Sequence, residues 1–173
     1  MARVPYFDLA QASPAYQELV KSRPALNLYR MLPHAGQAAE GFLKLGGALL
    51  RANELDSQLR EIAILRVGVL SKAGYEVHQH RRVARNVGLA EEKIKALESG
   101  NTAPFDELER MVLAFTEKVV RDVKAPDDMF QPLYARLGAR QMSELVLTIG
   151  FYMMVSRFLE NFEVDIEPPG TIT

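Results

Sequence analysis

Cysteine and tryptophan are both missing from this chain of 173 residues. Without a thiol there is no disulfide, no thiolate metal ligand and no cysteine nucleophile, which leaves methionine as the only sulfur open to redox chemistry. Excess charge is missing as well, since 21 Lys and Arg stand against 22 Asp and Glu for a formal net charge of −1. That balance gives no electrostatic case for nucleic acid or an anionic membrane as a partner. Long apolar runs are also absent: the longest, 145–155, is too short to cross a bilayer, and the first residues lack the apolar core of a signal peptide. A soluble cytoplasmic protein is expected.

Apolar residues make up 48% of the chain and charged residues 25%, an ordinary globular balance in a length suited to one domain over residues 1–173. Strand signals are scarce and helix signals frequent, so the fold class expected is all-α with short connections. Ser13 before Pro14 opens a short helix to about Val20, and Pro24 is expected to start another that Pro33 ends. The segment 36–51 is helical but rich in Gly and Ala, which points to close backbone approach by another helix or a ligand. Asp56 or Ser57 caps a helix that is apolar on nearly every side from Ile62 to Leu70, with Arg66 its only charge there, and this should be the most buried helix. After a turn at 71–74 comes a helix ending at Gly88, then a short one over 90–97. Asp106 with Glu109 forms a capping-box start for a helix to about Val123, Asp127 or Asp128 caps the next, which Pro132 is expected to bend and Gly138 to end, and a long helix over about 140–162 closes the fold.

The helix after the turn carries the best candidate for chemistry. Glu76 and His80, four residues apart, share a helix face with Val83, Ala84 and Val87, so two ionisable groups aim at the interior. Unpaired, each would cost several kcal/mol to bury, on the order-of-magnitude scale for desolvated charge. They are expected to pair with each other or to serve a cavity. Glu61, one helix earlier, either sits exposed in the first turn or reaches this pair across a helix hairpin. His78, Gln79, Arg81, Arg82 and Arg85 point away from the stripe and read as a solvated face; Arg85 or the isolated Arg66 could instead grip a substrate carboxylate. Tyr75 either packs on the turn or offers a proton, and Tyr152, Met153 and Met154 read as core. No metal is expected, because His78 cannot join Glu76 and His80 on a regular helix.

These residues resemble the carboxymuconolactone decarboxylase and alkyl hydroperoxidase D superfamily. The similarity runs through 59–67, through Gly74-Tyr75-Glu76 with His80, through Ala84-Arg85 with Gly88-Leu89, and through 148–157. It implies an AhpD-like helical domain with the site on a helix hairpin, and a homo-oligomer, trimer or hexamer. The peroxidase branch has a glutamate, eleven residues, Cys-x-x-Cys, three residues and a histidine; laid on this chain these fall on Glu61, Ala73, Glu76 and His80. Both sulfurs are gone, which excludes peroxide reduction by a thiolate. The decarboxylase branch needs no cysteine and implies a cofactor-independent lyase acting on a small carboxylated lactone or related acid. In that scheme His80 is the acid/base, Glu76 and Glu61 tune it, and Arg85, Arg66 and Tyr75 are the substrate-binding candidates. The alternatives are a non-catalytic ligand-binding or assembly protein on the same scaffold, or a peroxidase-like role through a partner's thiols.

Overall fold

The computed structural model describes residues 1–171 and is all-α among them. The helices are α1 (Pro14–Val20), α2 (Asn27–Met31), α3 (Gln37–Arg51), α4 (Ser57–Leu70), α5 (Gly74–Asn86), α6 (Glu91–Ser99), α7 (Glu107–Asp122) and α8 (Asp127–Phe162), with 3-10 turns at Leu9–Gln11 and Leu32–Ala35. Two compact units result, one of residues 1–52 with the segment from Leu159 on, the other of Asn53–Phe158.

In the first unit, the Ser13 hydroxyl accepts the Tyr16 N–H at 3.1 Å and caps α1, with Pro14 in the first turn. Pro24 does not start α2. It sits in a tight turn whose carbonyl accepts the Leu26 N–H at 2.8 Å, and the helix begins three residues later, at Asn27, whose own N–H is taken by the Glu167 carboxylate at 2.5 Å. Asp165 accepts from the Ala2 N–H at 3.1 Å and the Tyr6 hydroxyl at 3.0 Å. These hydrogen bonds bring the two ends of the segment sequence together and hold its carboxylate below the usual range.

The second unit is built around α4. One Asp56 oxygen accepts the N–H groups of Gln58 and Leu59 at 2.9 and 3.1 Å, which fixes where α4 begins. From Leu59 to Gly68 every residue is buried, as its lack of a polar face requires, with α5, α6 and α7 packed against it. Burying Ile62, Ile64 and Leu65, each nearly inaccessible, contributes about 2 kcal/mol per side chain. Asp106 and Glu109 form the expected capping box on α7. α8 is broken at Gly138, whose backbone (φ 72°, ψ 174°) is not helical, so the segment after it is the separate long helix read from the sequence. By length and composition α8 could cross a membrane, with a window of mean hydropathy 1.3, but half of that window is buried inside the protein.

The α4–α5 hairpin sets the site. α4 ends where Ser71 N–H bonds to Val67 O, Lys72 N–H to Val69 O and Ala73 N–H to Gly68 O, with Lys72 in the left-handed region at φ 55°. Such a closure turns the chain back at once. Gly68 permits the contact that follows: a Cβ there would lie 3.0 Å from Val77 Cγ2 and 3.7 Å from Glu76 Cβ. Gly68→Leu should therefore lower stability by about 1–3 kcal/mol, the usual range for overpacking, as read from urea unfolding midpoints at unchanged slope.

Candidate functional site

Glu61 stands one turn into α4 with no accessible surface, and His80 faces it from the second turn of α5. The hairpin converts a sequence separation of nineteen into a contact: His80 Nδ1 donates to Glu61 Oε2 at 2.7 Å. On its other side, His80 Nε2 lies 3.1 Å from Glu76 Oε1, the pair spaced i, i+4 on α5. Glu76 and His80 are both buried. The expected trio thus meets in one place.

Proton counting follows from this geometry. If both imidazole nitrogens meet carboxylate oxygens through hydrogens, two protons are shared among the three groups, whether both sit on the ring or one sits on a glutamate. Either way the trio carries one net negative charge. Arg60 balances it, with Nε 3.6 Å from Glu61 Oε1 and Nη1 donating to Asn53 Oδ1 at 3.3 Å. Arg60 is itself buried, and Arg60 Nε and Glu61 Oε1 make no hydrogen bond, so their attraction is between charges alone.

Burial pulls the His80 pKa down, but the charge and hydrogen bond of Glu61, then those of Glu76, overcome it and carry the imidazole from 6.5 up to about 10. The two neighbouring carboxyl groups therefore favour the protonated form of the ring. The two contacts are unequal. Nδ1–H is tied to a fully buried oxygen by the shorter bond, whereas Nε2–H meets Glu76 by the longer contact.

Tyr152 on α8 bounds the imidazole from the side, its ring edge-on to His80 at 4.9 Å between centroids and 84° between planes. Thr148 and Ser156, one turn either way on the same helix face, are fully buried, and their hydroxyls have no hydrogen-bond partner. Sequence reading placed Tyr152 in the core, correctly for burial, and passed over its neighbour in the site. Met154, also read as core, is 45% exposed, and Gln79, read as solvated, is buried. Arg60 was overlooked; its position beside Glu61 is the signal that could have found it.

The remaining candidates lie apart from this cluster. Arg85 makes a two-pronged pair with Glu91 on the exposed side of α5, at 2.8 and 3.0 Å. Arg66 donates to Glu117 at 2.6 Å and to Leu97 O at 2.8 Å. Tyr75 is buried in the first turn of α5. Two surface clefts of about 740 and 480 Å3 are lined, the first by residues between positions 107 and 132 in and around α7 and α8, the second by residues between positions 9 and 21 in and around α1, with none of Glu61, Glu76 or His80 among them. Among the described residues no cluster of three or more His, Asp or Glu has the geometry to hold a metal ion.

Known proteins frame this arrangement. Residues 36–118 match the model of the Carboxymuconolactone decarboxylase family. At the level of the family, the sequence resemblance holds. Solved structures agree in fold. An "alkylhydroperoxidase AhpD core" protein of Ralstonia eutropha JMP134, described as uncharacterized and peroxidase-related, superposes with a TM-score of 0.85 at 16% identity, over 96% of this chain and 92% of that one. A peroxidase-related protein of Silicibacter sp. TM1040 gives 0.79 at 19% identity, over 96% and 94%. An Agrobacterium tumefaciens protein of unknown function bearing the AhpD name gives 0.72 at 21% identity, over 79% and 95%. At these identities the likeness is one of fold, and the fold is AhpD-like. No curated protein matches the chain in sequence.

Two outcomes are expected for the cluster. Stability contributed by His80 should be fully present below pH 6.5, its unfolded value, and lost as pH rises toward about 10, the folded value, so thermal midpoints should fall across that window and the fall should vanish in His80→Leu/Glu61→Leu. At neutral pH, Glu61→Leu and His80→Leu singly should each cost about 3–5 kcal/mol, because each strands a buried charge, while the double variant should cost clearly less than their sum in urea unfolding.

Proposed function

We propose that this chain is a cofactor-independent lyase of the carboxymuconolactone decarboxylase type, acting on a small carboxylated lactone or a related β-keto acid. The single observation that supports it most is the Glu61–His80–Glu76 cluster in a chain with no cysteine: a proton donor is present where a thiol pair would be needed for peroxide chemistry.

In this reading the substrate's carbon–carbon bond to its carboxylate breaks, carbon dioxide leaves, and the electron pair remains as a dienolate. The imidazolium charge of His80 stabilises the developing oxyanion. Nε2–H then passes to the carbon, leaving a neutral imidazole that keeps its Nδ1–H on Glu61 and regains a proton from solvent by way of Glu76. A donor with a pKa near 10 stays loaded at neutral pH and gives its proton only to a strong base such as an enolate carbon. The negative charge left on Glu61 and Glu76 favours reprotonation. The substrate's carboxylate needs a cation, and Arg60 is the buried one beside the cluster, since Arg66 and Arg85 are engaged by Glu117 and Glu91.

One observation favours a second reading, a non-catalytic ligand-binding or assembly protein. Both ring nitrogens of His80 are engaged by carboxyl groups of the chain itself, and the two described clefts lie away from the cluster. A homo-oligomer belongs to both readings; exposed Val146, Leu147 and Met154 on one side of α8 support it.

Turnover separates the two. Purified protein should consume γ-carboxylated lactones or β-keto acids with release of carbon dioxide, and His80→Ala should lower the rate by roughly 10²–10⁴-fold, the range for losing a general acid. Equal turnover by the variant, or none by the parent protein, defeats the lyase reading.

A further inference from the structure

Gly47, in the second half of α3, has no side chain, and the space where one would begin is bordered by two guanidinium groups. Arg51 Nη2 lies 2.9 Å and Arg23 Nη2 3.3 Å from that point. Arg23 is held in place from below: its Nε donates to Leu19 O at 2.8 Å, its Nη2 to Leu43 O at 3.0 Å, and its charge lies 5.6 Å from the centre of the Tyr29 ring. Arg51 is exposed and folds back over the glycine. Neither arginine has an ion pair with any carboxylate of the described residues. Lys44, a turn before Gly47 on the same helix side, is exposed and adds a third positive charge.

A helix C-terminus favours one cation, which accounts for Arg51 in the last turn of α3. It does not account for a second, anchored guanidinium converging on the same point. Like charges repel at this range unless an anion lies between them. A single carboxylate fills one guanidinium fork; a tetrahedral dianion has oxygens enough for two forks. We propose that Arg23 and Arg51, converging over Gly47, form a binding site for a phosphate monoester group. Gly47 is part of the device, because a methyl there would lie 2.9 Å from Arg51 Nη2 and displace that guanidinium from its place beside Arg23. The site lies wholly within the first unit and is independent of the lyase reading.

The test is an NMR titration of the Arg23 and Arg51 Nε–H signals and the Gly47 amide with inorganic phosphate, against sodium chloride at equal ionic strength. Saturable shifts with phosphate alone are expected. Arg51→Gln should weaken binding by roughly 10-fold or more, the loss of one charge-assisted fork. Gly47→Ala should weaken it to a similar degree although both charges remain, and it should fold readily, since alanine is the better helix former. Sedimentation with phosphatidylcholine vesicles containing phosphatidic acid identifies the source: added binding lost in Arg51→Gln marks a lipid headgroup, and no binding marks a soluble phosphate, either of which upholds the site. A phosphate response that chloride reproduces, one that survives both substitutions, or vesicle binding with no phosphate response overturns it.

Discussion

A carboxylate with no accessible surface, placed in the most buried helix of the molecule, constrains everything around it. A polar group buried that deeply needs a partner, and the α4–α5 hairpin supplies one by bringing His80 Nδ1 to 2.7 Å from Glu61 Oε2. That requirement propagates outward. The hairpin must close tightly, so Lys72 takes a left-handed backbone and Gly68 gives up its side chain to Val77. Arg60 must turn inward to balance the remaining charge, and Asn53 takes up its spare donor. Tyr152 stands edge-on beside the ring.

The same arrangement bears on chemistry through a change of residue type. Where the superfamily's peroxidase branch has cysteines, this chain has Ala73 and Glu76. A thiol exchanged for a carboxylate removes an electron donor and adds a second anion beside the imidazole. Glu61 and Glu76 together raise the affinity of His80 for its proton.

Much of this was legible in the sequence. The absence of a polar face on 62–70 made α4 the central helix, and the caps at Ser13, Asp56 and Asp106 were readable because each is a local hydrogen bond between near neighbours. The i, i+4 spacing placed Glu76 with His80, but Glu61 remained ambiguous because its contact depends on how two helices cross, which periodicity does not encode. Arg60 and Tyr152 were missed for the same reason: each earns its place by a tertiary neighbour. Pro24 misled because a proline signals a helix start and a tight turn equally well, and Leu26 N–H chose the turn. The guanidinium pair over Gly47 was foreshadowed only as a small-residue stretch, since Arg23 reaches it from another helix.

The protonation of His80 is the claim on which the account rests, and ring-nitrogen chemical shifts in 15N-labelled protein measure it directly. Both ring nitrogens should carry protons at neutral pH, with the transition to a neutral ring only near pH 10, and Glu61→Gln should bring that transition down. A neutral ring at pH 7 that titrates near 6.5, unmoved by Glu61→Gln, would contradict it.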